Sequence, residues 1–234
     1  MTDRRPPDSA LLGTVSEAGL EALGKLDVPL VVLVGGATGT GKSTVAVEVA
    51  HRLGITRVTS TDVVRQTMRA FFSREFMPSI HFSSFEAAPA VAEQDFEPDA
   101  VIRGFLEQTR NVLVGVKAVL ARALEEGYSV ALEGVHVVPG LMEPVEGAVC
   151  CQVMLAIGDE DEHAAHFWTR DAEGFRPFEK YLRALPEIRR VQDYLVERAT
   201  RCGVPVIDNA NVDTTVDRVV ELVLAEVERV RSPL

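Results

Sequence analysis

The chain has 234 residues, 47% of them hydrophobic and 25% charged, with a formal net charge of −11. That length and apolar content support one full core, no apolar run reaches the span of a bilayer, and the acid excess argues against an extended nucleic-acid surface. A small anionic ligand remains compatible, with most cationic work falling to arginine, because lysine occurs only at positions 25, 42, 117 and 180.

Residues 1–28 read as an N-terminal arm with a short helix from Ser16 to Leu26, ahead of a single domain over 29–234. The arm lacks an apolar secretory region, so the sequence points to a cytoplasmic protein. Cys150, Cys151 and Cys202 have no metal spacing and read as buried thiols in a reducing compartment.

Leu30 to Val34 is an apolar run with the character of a strand buried on both faces, and it breaks into glycines before a helical pattern from Ser43 to Leu53. Gly36, four residues, then Gly41-Lys42-Ser43 is the phosphate-binding-loop spacing, in the strand-loop-helix context that the motif requires. The backbone of Gly36, Ala37, Thr38, Gly39, Thr40, Gly41, Lys42, Ser43 and Thr44 is therefore the predicted ATP cradle. The N–H groups of Gly39, Gly41 and Lys42 would face the β-phosphate, and the Lys42 ammonium the β- and γ-phosphates. Ser43 would ligate Mg²⁺ through its hydroxyl.

Arg57 to Ser60 is a short second strand, with Thr61 and Asp62 as N-cap candidates for a helix to about Phe71. Asp62 and Arg65 share one face of its first turn, where a carboxylate can serve as base for an acceptor hydroxyl or can simply cap the helix. Residues 72–96 show no sustained period. Their polar stretch around His81, Ser83 and Ser84 would hold an acceptor, although His81 reads equally well as structural.

A long helix follows from Pro98 to Glu126, with Arg103, Gln108 and Arg110 assigned to its surface unless they lie near its substrate end. The third strand, Tyr128 to Glu133, ends in Glu133-Gly134-Val135-His136. Glu133 would act through water on Mg²⁺ or accept from a substrate hydroxyl, and His136 is open between substrate contact and structure. Ala148 to Ile157 is the central fourth strand.

Residues 158–185 have the arrangement of a closing lid, with Arg170 and Arg176 poised to meet phosphates and Lys180 behind them. A helix from Pro186 to Cys202 leads to a fifth strand ending at Asp208-Asn209, placed at the sheet edge by Pro205. Asp208 and Asn209 would border an adenine pocket or form a turn, and an amphipathic helix from Val212 to Val230 closes the chain.

The pattern predicts a parallel sheet with its candidate residues at the strand C-terminal ends. Over about residues 30–220 the sequence resembles the 2-phosphoglycerate kinases, a P-loop family with the fold of nucleoside-monophosphate kinases. The resemblance runs through Gly35 to Thr44, Ser60-Thr61-Asp62 with Arg65, His81 to Glu86, Glu133 to His136, Pro139-Gly140, Phe167 with Arg170, Lys180-Tyr181-Leu182, Ile188-Arg189 and Val204 to Asn209.

It implies Mg²⁺- and ATP-dependent phosphorylation of 2-phosphoglycerate to 2,3-bisphosphoglycerate. Lys42, Asp62, Arg65 and Arg170 would be the catalytic residues, and His81, Ser83, Ser84, Glu133, His136, Arg176 and Lys180 would contact substrate. The Asp62-Arg65 pair is also similar to that of P-loop kinases of polynucleotide 5′-hydroxyls. That acceptor, another polyol phosphate, and a nucleotide-dependent switch without an acceptor stand as alternatives. Neither a nucleic-acid nor a membrane partner is expected, and the oligomeric state is open. The family pattern carries arginine where this chain has His166, which lowers the charge of the lid.

Overall fold

The computed structural model describes residues 23–24, 26–91, 99–143, 145–171 and 178–231. Five strands form one parallel sheet: β1 (Leu30–Gly36), β2 (Val58–Ser60), β3 (Val130–Gly134), β4 (Val149–Ala156) and β5 (Val206–Asp208), in the order β2-β3-β1-β4-β5. The most apolar runs take the middle positions. β1 is buried along its whole length, as an all-parallel sheet covered on both faces requires. β5 is at the edge, where Pro205 is tolerated.

Seven α-helices fall among the described residues: α1 (Lys42–Arg52), α2 (Thr61–Phe71), α3 (Ala100–Glu126), α4 (Glu160–Asp171), α5 (Phe178–Arg183), α6 (Leu185–Cys202) and α7 (Val212–Arg231). On one face Val45, Val49, Val216, Val219 and Val223 from α1 and α7 pack against Val32, Val34 and Val153. On the other, Val64 of α2 and Val112, Val116 and Leu120 of α3 cover Val31, Leu33 and Leu132. A third cluster joins Phe105 of α3, Phe167 of α4 and Ile188, Val191 and Leu195 of α6 near the strand C-terminal ends. Each fully buried aliphatic or aromatic side chain contributes on the order of 2 kcal/mol.

Three local expectations change. Ser60, rather than Thr61 or Asp62, caps α2, its Oγ accepting from the Asp62 N–H at 3.2 Å. Because Ser60 does this work, the Asp62 carboxylate is left for other partners. Gln108 is completely buried rather than on the surface, because it falls between Phe105 and Val112 on the inward stripe of α3. Cys202 is exposed at the end of α6, whereas Cys151 is buried and Cys150 half-buried. Burial pushes the Cys150 and Cys151 thiols up to about 11 and about 12, which makes both unreactive.

Residues 72–91 contain two 3₁₀ turns, Pro78–His81 and Ala88–Ala90. The arm before Leu23 lies outside the described residues. Leu23 and Leu26 pack against the first core cluster. No helix among the described residues is long and apolar enough to cross a membrane.

Candidate active site

The phosphate loop leaves the buried end of β1 and enters α1 at Gly41, whose φ of 77° lies in the left-handed region where glycine alone is unstrained. Asn209, just past β5, is buried against it and donates from Nδ2 to the Thr40 carbonyl at 2.9 Å. The sequence offered Asn209 as a border of an adenine pocket or as a turn residue; this contact is outside both readings, and it makes the side chain a brace on the phosphate loop. Asp208 accepts from the Gly158 N–H at 3.3 Å. Lys42 is buried, its Nζ donating to the Ala37 carbonyl at 2.6 Å, inside the ring of backbone that would surround an anion.

Glu133 stands at the end of β3, opposite Val34 of β1 on one side and Ser60 of β2 on the other. Its carboxylate is buried and accepts from the exposed Ser43 at 3.1 Å, Oγ to Oε1. This pair offers a hard divalent cation the oxygen-only donors that it prefers, at the mouth of the phosphate cradle.

Next to the loop opens a cavity of about 790 Å³, lined by Thr38, Asp62, Arg65, Arg69, Ser83 and Lys180 among others. Asp62 is half-exposed there and accepts from Arg65 Nε at 3.2 Å. Burial works to raise the Asp62 carboxyl, but His136, Arg65 and Lys42 outweigh it and hold it below the usual carboxylate range. Since His136 is itself neutral at physiological pH, as shown below, Arg65 is the direct partner that keeps Asp62 ionised there.

Arg65 is nearly buried, and its Nη1 donates to the Ile80 and Phe82 carbonyls, both at 2.9 Å. Its donors thus fasten the 78–82 turn to α2 as well as gripping Asp62.

His136 lies beneath the cavity rather than in it. It is completely buried, Nδ1 lying 2.9 Å from Thr61 Oγ1 and Nε2 lying 3.0 Å from Gln108 Oε1. The Gln108 amide N–H groups meet the Ser79 and Phe82 carbonyls at 2.6 and 3.0 Å, so Oε1 accepts. Nε2 therefore carries the proton, and the Thr61 hydroxyl donates to Nδ1. Burial lowers His136 to about 4, consistent with a neutral ring in a satisfied polar chain.

The other sequence-predicted residues divide. Ser83, Ser84 and His81 line the cavity, with Ser84 buried and His81 Nε2 3.0 Å from the Phe72 carbonyl. Lys180 also lines it, paired with Glu86 at 2.7 Å and 3.3 Å from Ser83 Oγ. Arg176 lies outside the described residues. Arg170 sits in the last turn of α4, and its side chain is outside the described atoms.

Sequence reasoning missed Arg69. It lines the cavity one turn beyond Arg65, with its Nη1 on the amide oxygen of Gln66 at 3.0 Å and no ion pair recorded among the described residues. Its position four residues after Arg65 on the same face was the available signal.

A phosphate loop on a parallel sheet of this strand order, with a carboxylate and a polar cavity beside it, defines a P-loop fold of the nucleoside-monophosphate-kinase type. The sequence is 44% identical over 201 residues to the 2-phosphoglycerate kinase of Thermococcus kodakarensis, covering 86% of this chain and 68% of that one. It is 42% identical over 203 residues to the 2-phosphoglycerate kinase of Methanopyrus kandleri, covering 85% and 62%. The chain belongs to the 2-phosphoglycerate kinase family, and it spans about two thirds of the length of these curated relatives. No family model matches it. Among solved structures, a shikimate kinase from Acinetobacter baumannii in complex with shikimate aligns at 16% identity with a TM-score of 0.49, covering 87% of this chain and 97% of that one.

Proposed function

We propose that the protein transfers the γ-phosphoryl group of ATP to the hydroxyl of a small phosphorylated hydroxy acid, with 2-phosphoglycerate as acceptor and 2,3-bisphosphoglycerate as product. The names of its relatives supply the acceptor. The observation that carries the reading is that one cavity is bounded both by Thr38 of the phosphate loop and by the ionised Asp62, so donor and acceptor sites are contiguous.

The charges around the cavity fit such an acceptor. Asp62 is paired with Arg65 and Glu86 with Lys180, which leaves Arg69 as the uncompensated cation among the described lining residues. A guanidinium held by a neutral amide keeps its fork available for a phosphate or carboxylate.

Asp62 accepts the proton of the acceptor hydroxyl, whose oxygen attacks the γ-phosphorus. The bond to the β–γ bridging oxygen breaks, ADP departs, and the proton passes from Asp62 to solvent. Lys42 and the N–H groups of Gly39 and Gly41 hold the donor phosphates during transfer. Ser43 and Glu133 would hold Mg²⁺, directly or through water; when bound, that ion neutralises charge on the phosphate oxygens.

ADP release with MgATP and 2-phosphoglycerate, 3-phosphoglycerate or glycerate tests the reading. Stimulation by the phosphorylated acceptor above the ATP-only rate is expected, with glycerate much weaker. An ATP-only rate unchanged by every acceptor would overturn it in favour of a nucleotide-dependent switch.

A further inference from the structure

Two imidazoles of α4 end on the phosphate loop. His163 Nε2 lies 2.8 Å from the Thr38 carbonyl oxygen, and His166 Nδ1 lies 3.0 Å from the Gly39 carbonyl oxygen. A carbonyl oxygen only accepts, so each of these ring nitrogens carries a hydrogen. His163 is completely buried, and its Nδ1, the unprotonated nitrogen of that tautomer, is a buried acceptor with no partner among the described residues.

In a trans peptide the C=O and N–H point in opposite directions, and no cis peptide occurs among the described residues. A donor fixed on the Thr38 carbonyl therefore turns the Gly39 N–H to the other side of the loop. That N–H is one of those expected to face the nucleotide phosphates. The adjoining Thr40 N–H is held by the Ala37 carbonyl at 3.4 Å, so His166, on the Gly39 carbonyl of the same peptide, reinforces a restraint already present, whereas His163 acts on the peptide before it.

Packing holds the imidazoles in place. Gly39 has a φ of 91°, and a Cβ built there would lie 2.6 Å from Phe167 and 2.9 Å from His163 Nε2, so α4 rests directly on the loop. His163 stacks on Phe167 with ring centres 5.4 Å apart, Phe167 stacks on Tyr181 at 5.3 Å, and Tyr181 meets Phe85 edge-on at 6.0 Å. This column of rings runs from the phosphate loop to the wall of the acceptor cavity, which Phe85 and Tyr181 line.

We propose that His163 and His166 are positioning residues for phosphoryl transfer: they clamp the outward carbonyls of Thr38 and Gly39, so that His163 aims the Gly39 N–H at the nucleotide phosphates and His166 fixes the next peptide, which keeps the loop in the shape that binds them. Burial lowers the basicity of His163, against a smaller opposing effect of the Thr38 carbonyl, so the ring is a neutral donor. Neither imidazole touches the reacting atoms. The inference rests on reading the loop as the nucleotide site.

The test measures MgADP affinity by calorimetry without acceptor, and the KM values for ATP and acceptor, in two kinds of variant. H163Q and H166N keep an N–H near the original Nε2 and Nδ1, while H163F keeps the stacking ring without a donor and H166L removes the donor from a half-buried position. The donorless variants should bind MgADP about three- to tenfold more weakly and raise the ATP KM to match, with the acceptor KM within about twofold. H163Q and H166N should stay within about twofold of the unaltered protein.

Equal MgADP affinity in H163F and H163Q, or equal losses in the two KM values, would overturn the clamp. If H163F does not fold by thermal denaturation, the H166L and H166N pair decides by the same criteria. Failure of the unaltered protein to bind MgADP would instead sink the nucleotide reading itself, which separates the two failures.

Discussion

On the proposed nucleotide side, contacts would be made by backbone that leaves the most buried strand of the sheet, and each neighbour braces that backbone: Asn209 on Thr40, His163 on Thr38, His166 on Gly39. On the proposed acceptor side, contacts would come from side chains of α2, the 83–86 segment and α5 around an open cavity, with Asp62, Arg69 and Lys180 substantially exposed. A triphosphate is common to many enzymes, so its cradle can be rigid and built from the main chain. An acceptor is particular to one, and exposed side chains can be exchanged without disturbing the sheet.

The comparison breaks most severely at Asp62, which stands where the halves meet. D62N should lower kcat by about 10²- to 10⁴-fold while the ATP KM changes only a few-fold, since the amide cannot take the hydroxyl proton. Steady-state kinetics with saturating acceptor checks this. Equal losses in kcat and ATP affinity would assign Asp62 to organising Arg65 instead.

On the nucleotide side, E133Q should raise the Mg²⁺ concentration for half-maximal rate by about 10- to 100-fold, with the acceptor KM unchanged. A Mg²⁺ titration at fixed ATP measures it. On the acceptor side, R69Q should raise the 2-phosphoglycerate KM by about tenfold or more, as expected for loss of a charged hydrogen bond, and leave the ATP KM alone. If R69Q raises both together, the two halves are not separable in the way their construction suggests.

The same contrast explains what could be read from sequence. The phosphate loop, the five strands and the helix from Leu185 to Cys202 announce themselves because local chemistry fixes them: glycines at set spacing, uninterrupted apolar runs, a proline in the first turn. Asp62 and Arg65 were visible for the same reason, being on one helical turn.

Gln108 and the clamp of His163 and His166 were not, because their partners lie far away along the chain. Gln108 meets residues 26 to 29 positions before it, and His163 meets a carbonyl 125 positions away. His136 was ambiguous until its two neighbours, Thr61 and Gln108, were brought to either side of its ring. Long-range pairing of this kind leaves no periodicity to find.

The smallest effect at neutral pH belongs to that buried histidine, and its sign follows from linkage. His136 titrates at about 4 in the folded protein and at about 6.5 when unfolded. Between these values the unfolded chain binds a proton that the native one does not, so stability rises with pH through this window and is lost on acidification from about 6.5 toward 4, by roughly 3 kcal/mol in all. Asp62, whose carboxyl is lowered, adds a loss in the same direction only below the ordinary carboxylate range, so the two windows are distinct.

Urea denaturation at pH 7 and at pH 4.5 should show the decline, and H136Q should flatten it, leaving the part due to His163, which burial also lowers. Because Gln108 ties His136 to the 79–82 turn, mild acid should raise the acceptor KM before the ATP KM. A stability independent of pH over this range would mean that His136 is not held neutral, and the acceptor wall would then need another support.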